Sequence, residues 1–149
     1  MRPGLVFLVS ILLMSASAAQ AQNALDRYEA ASEAIGDQMN ALLAKEFPNL
    51  DGNLPDTQWD DAHRRAGVCI LTTLRDEAGI DYLAEMLTAL EATASRKFAS
   101  SQELTSATTL PVTRTMTANR VQAITENCGM TALSMQRMEE AGTFQAMQN

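Results

Sequence analysis

The sequence predicts an all-α protein, a small four-helix bundle with one disulfide between its second and fourth helices. Three observations predict it. Apolar residues recur three and four positions apart in four long segments, and no stretch alternates with the period of two expected of a half-buried strand. The two cysteines, Cys69 and Cys128, fall on the apolar stripes of two different segments. The third is a leader that points to an oxidising compartment, where an even cysteine count reads as pairing.

That leader is residues 1–21. Arg2 supplies a positive start, and Leu5 to Met14 form an apolar run broken only by Ser10. Ala19-Gln20-Ala21 then offers a small-residue cleavage site, so the mature chain is expected to begin at Gln22. The apolar run is shorter than the roughly 20 residues needed to span a bilayer. No cysteine stands near the cleavage site to carry a lipid. The expected address is periplasmic or secreted, with no stable membrane insertion after cleavage. Removing the 21-residue leader from 149 residues leaves 128, enough for a single helical domain over 22–149 with a real core.

Removing Arg2 leaves 10 basic against 18 acidic side chains, a formal charge of −8 on the mature chain. Such a chain is repelled by nucleic acid and by anionic headgroups, so nucleic-acid binding is not expected. With one Trp and two Tyr there is no stacking platform for bases or sugars.

The first helix is expected over Leu25–Phe47, capped by Asn23, with Leu25, Tyr28, Ile35, Met39 and Leu42 on one face. Gly36 marks a close crossing with another helix. Pro48 ends the segment by disfavouring helix at Phe47. Residues 48–56 form a turn-rich loop. Its Asn49, Asp51, Asn53 and Asp56 lack the length and the closing Glu of an EF-hand, so they read as turn formers rather than calcium ligands.

The second helix is expected from Thr57 as cap to Ala78, with Gly79 beyond its end and Trp59, Ala66, Cys69, Ile70 and Leu74 inward. The third starts at an Asp81 cap, buries Leu83, Met86, Leu87, Leu90, Ala94 and Phe98, and carries Arg96-Lys97 in its last turn. A Ser/Thr-rich connection follows over Ala99–Thr115, pinned by Leu104, Leu110 and Val112. The fourth helix is expected over Ala118–Ala141 with Thr117 as cap. Its stripe is Val121, Ile124, Cys128, Thr131, Met135 and Met138, Gly129 kinks or splits it, and the chain frays after about residue 142. A Cys69–Cys128 bridge closes a loop of about 60 residues, worth about 4 kcal/mol in loop-closure entropy.

Few residues suggest chemistry. His63 is the one histidine, and Asp60, one turn earlier, is placed to orient its ring. There is no strained Gly-x-Ser-x-Gly turn to supply a nucleophile, so His63 reads as an exposed helical residue. Adjacent acidic pairs such as Asp60-Asp61 do not share a helix face and read as solvated surface. One histidine supplies neither a di-iron nor an ordinary zinc site, and no cofactor is implied.

Methionine is the unusual abundance. Met130, Met135, Met138 and Met147 crowd the C-terminal region, after Met116. Thioethers there form either core filling or an adaptable surface for a partner helix or a client chain. The expected function is a non-enzymatic exported protein serving binding, assembly or stress protection, its partner another exported protein or a client. The alternative is a copper(I) carrier using Met130, Met135 and Met138, with His63 available as a further ligand, because soft thioethers suit Cu(I).

Overall fold

The helix pattern is realised as seven α-helices and no strand among the described residues. The computed structural model describes residues 6–148, with side chains from residue 21 onward. The first five residues of the expected leader, Arg2 among them, and Asn149 lie outside them. No helix among the described residues is long and apolar enough to cross a membrane.

Helix α1 spans Val6–Glu46, α2 Asp61–Ala78 and α3 Ile80–Ser95. These three pack on one another and hold most of the core. Leu74 and Met86 are completely enclosed, with Ile70 and Leu87 almost so. Asn23 does not cap α1: the helix runs through it from Val6, because the alanine-rich stretch around residues 16–24 contains no helix breaker. The second helix is capped by Asp60 rather than Thr57, whose hydroxyl instead donates to Asp37. Gly79 stops α2 with φ of 89° and directly precedes α3, displacing Asp81 from the cap into the first turn. Helix α3 ends at Ser95, so Phe98 and Lys97 lie beyond it. Arg96 stacks on the Phe98 ring at 4.8 Å.

The Ser/Thr-rich connection is partly helical. Helix α4 (Ser101–Ala107) is capped by the Ser100 hydroxyl, which accepts from the Glu103 N–H. It buries Leu104 completely against the end of the bundle. Met116 is also fully enclosed, whereas Val112 is exposed and pins nothing.

The expected fourth helix is two helices, α5 (Ala118–Asn127) and α6 (Met130–Glu140), split at Gly129. Gly129 has φ of 84°, a left-handed conformation that ends α5 and re-aims α6. The apolar register is lost there. Val121 and Ile124 face the core, but Thr131 and Met135 are exposed, and no residue of α6 is fully buried. Both α5 and α6 lie against α2. The tail is not frayed over its described length. Helix α7 (Thr143–Ala146) folds back on the 3-10 turn at Pro48–Leu50. Asn49 donates to the Ala146 carbonyl at 2.6 Å and Thr143 to the Asn53 carbonyl at 2.5 Å, so the Asx-rich loop is tied down by turn and tail bonds.

The Sγ atoms of Cys69 and Cys128 are 2.00 Å apart, a disulfide joining α2 to the C-terminus of α5. Its position differs from expectation: Cys69 is exposed and Cys128 only half-buried, so the bridge lies at the rim of the bundle. Arginines brace the helices outside the core. Arg27 forms a two-pronged pair with Glu91, at 2.6 and 2.7 Å, between α1 and α3. Arg64 of α2 reaches Asp26 and Glu29 of α1. Arg120 of α5 pairs with Glu77 of α2.

Candidate functional site

The site begins with the cap of α2. Asp60 has extended backbone, and one carboxylate oxygen accepts from the His63 N–H at 2.9 Å, as an N-cap should. The same oxygen stands 2.7 Å from His63 Nδ1. The other oxygen accepts from Arg137 Nη2 of α6 at 3.1 Å. The backbone N–H of His63, its ring and the Arg137 guanidinium together hold the Asp60 carboxyl well below the usual carboxylate range. A carboxylate has no proton to give, so Nδ1 is the donor and the lone pair of a neutral ring sits on Nε2.

His63 is only 4% exposed, a correction to the surface residue that the sequence suggests. Its burial follows from what covers it. Trp59, just before the helix, closes over α2 where Gly67 leaves space: a Cβ at Gly67 would stand 2.5 Å from the indole. The indole and the Tyr28 ring make a T-shaped pair, 5.3 Å between centroids and 89° between planes. The His63 ring lies 6.4 Å from it. The Trp59 backbone N–H donates to Glu33 at 2.7 Å, which ties this loop to α1. Gly36 does mark a close approach, but by the loop: a Cβ there would stand 3.0 Å from Thr57 Cγ2.

These elements enclose a cleft of about 290 Å³. Tyr28, Ser32 and Gly36 of α1 form one wall, the loop from Pro55 to Trp59 the end, and Met130, Ser134, Arg137 and Met138 of α6 the other wall; His63 also lines it. Burial pushes the Tyr28 phenol up to about 12, so it stays protonated. Arg137, which the sequence reading missed, ties α6 in place. Its Nη1 donates to the carbonyls of Asp56 at 3.0 Å and Gln58 at 2.5 Å, beside the bond to Asp60. Nothing local in sequence reveals these partners, which lie 77 to 81 positions away.

The four methionines singled out by sequence separate. Met130 and Met138 line the cleft with His63. Met135 is 46% and Met147 65% exposed, and neither reaches the cleft. Met135 shares α6 with Met130 and Met138 but stands on another side of that helix, and Met147 lies beyond it at the end of α7.

The cleft does not assemble a nucleophile with a base. Ser134 donates to the Met130 carbonyl at 3.0 Å, and among the described residues neither Ser32 nor Ser134 hydrogen-bonds to His63. A second concavity of about 470 Å³ lies between α1, α2 and α3, bordered by Ala21, Val68 and Ile80. It contains no buried titratable group.

No protein-family model matches the chain, and no curated protein or solved structure is significantly similar to it.

Proposed function

We propose that this chain is an exported binding protein whose working site is the cleft between α1, the Pro55–Trp59 loop and α6. The observation that carries this reading is the buried His63, which lines the cleft with its Nδ1 2.7 Å from Asp60 and makes no hydrogen bond through Nε2 to any described residue. With Nδ1 held by Asp60, the ring presents Nε2 as a pre-oriented acceptor, which lowers the ordering cost for a ligand that donates to it. Export is supported by the leader-like sequence and fits a chain stabilised by a disulfide.

The other reading, an adaptable methionine face for an exported partner or client chain, retains only the exposed Met135 and Met147. Met130 and Met138 contribute to the cleft instead. The geometry therefore favours a contained ligand over an extended sticky surface.

The test is native mass spectrometry of the protein purified from its export compartment, beside a Ser134→Trp variant that fills the cleft. The expected mass begins at Gln22, is two hydrogens light, and carries a bound species that Ser134→Trp loses. A chain that keeps Met1, or that emerges without any bound species, contradicts the proposal.

A further inference from the structure

We infer that the cleft takes a small, uncharged aromatic compound carrying a hydrogen-bond donor beside an acceptor, the aryl carboxamide being the simplest, with its N–H given to His63 Nε2. The inference rests on the cleft being the binding site, and it names the ligand class.

Three features carry it. The first is a pair of open polar atoms. Among the described residues no buried side-chain nitrogen or oxygen lacks a hydrogen-bond partner. Nε2 of His63 makes no such bond, so solvent reaches it although the residue is almost wholly enclosed, and the cleft that His63 lines gives that access. The Tyr28 hydroxyl also has no partner among the described residues, and Tyr28 lines the same cleft. Burial keeps this phenol protonated. Nε2 accepts and the phenol hydroxyl donates, so together they suit a ligand that offers both a hydrogen and an oxygen.

The second feature is charge. The Arg137 guanidinium is offset by Asp60 at 3.1 Å and spends its other amino group on the carbonyls of Asp56 and Gln58. The Asp56 carboxylate is exposed and accepts from the Gln58 N–H at 3.0 Å. With Nδ1 donating to Asp60, the His63 ring is neutral. A charged ligand would shed its hydration in the enclosed part of the cleft without meeting a free opposite charge there. An uncharged amide exchanges its bonds with water for bonds with the protein.

The third is the wall and its size. Met130 and Met138 stand eight residues, about 12 Å, apart along α6, too far to hold one ion between them. With Trp59 they supply apolar lining instead, and both thioether sulfur and indole favour an aromatic ring over a saturated one. The volume of about 290 Å³ lies at the lower end of small-molecule sites, roughly 300–1,000 Å³, which suits one ring with one substituent.

The experiment uses the exported chain, freed of any co-purifying molecule and labelled with 15N at histidine, titrated with benzamide. The His63 Nε2 signal should shift as it accepts the amide hydrogen, and Ser134→Trp should lose the binding. Methyl benzoate keeps the ring and the oxygen but has no N–H to give, and should bind about tenfold or more weakly. Benzoate, of nearly the same shape but charged, should not bind at the same concentrations. Cyclohexanecarboxamide keeps the amide without the aromatic ring and should bind more weakly than benzamide. Tyr28→Phe removes only the hydroxyl and should weaken benzamide binding by about fivefold. Benzoate or methyl benzoate binding as tightly as benzamide overturns the inference. So does benzamide that leaves the Nε2 signal in place or binds Ser134→Trp equally well. A molecule that co-purifies with the parent and is lost from Ser134→Trp, with no binding of benzamide to the emptied chain, overturns the ligand class while the binding reading stands. A ligand-free native chain that does not bind benzamide overturns both.

Discussion

Asp60 serves three donors at once: the first turn of α2, the His63 ring and Arg137. Its folded acidity is depressed, so the sign of its contribution is fixed. The stabilisation is fully present above the ordinary carboxylate range and is lost as pH falls through about 4 toward the depressed folded value. Glu46, Glu77 and Glu91 are held low in the same direction by Ser101, Arg120 and Arg27. Asp60→Asn keeps a competent cap residue but removes the charge. The variant should be less stable than the parent at neutral pH and should converge on it in acid. Urea midpoints measured from about pH 7 down to about pH 2.5 check this. Parallel curves over that range would mean that the carboxylate charge does not stabilise the fold.

At the scale of the element, the disulfide and Gly129 act together on α6. Cys128 caps α5, Gly129 turns the chain, and Met130 opens both α6 and the cleft wall. The bridge to Cys69 therefore fixes one end of that wall, and Arg137 fixes the other through the loop carbonyls. Cys69→Ser should cost about 4 kcal/mol, the loop-closure entropy of a 59-residue separation. It should also speed amide hydrogen exchange in α6 more than in α3, because no residue of α6 is fully buried while α3 carries much of the core. An unchanged melting temperature, or exchange that rises equally everywhere, would show that the bridge does not support the wall.

For the whole molecule, what was legible in sequence is what depends on neighbours three or four positions away. The stripes through Leu25, Ile70, Leu74, Leu83 to Leu90 and Ile124 all turn inward. So was the pairing of Cys69 with Cys128, and so was Asp60 as the group that orients His63. The remainder depends on distant contacts. Periodicity alone carries the Met135 stripe straight across Gly129, whereas a left-handed residue there rotates α6 onto a new face. His63 lies beside Trp59, which packs on Tyr28 and fits because Gly67 has no side chain. Arg137 finds its partners across the fold, a contact without local trace. The loop and tail were read as turn and frayed end, yet Asn49 and Thr143 stitch them together.

The central claim is that the fold holds His63 buried with Nδ1 protonated against Asp60 and Nε2 bare at the cleft. The most direct measurement is a long-range proton–nitrogen NMR correlation of the His63 ring in the ligand-free chain, at about pH 8 where a free imidazole is neutral. The expected spectrum is that of the Nδ1–H tautomer, with Nε2 showing the shift of an unprotonated nitrogen. An Nε2–H tautomer, or a ring exchanging between the two as in solution, would leave no lone pair fixed toward a ligand and would contradict it.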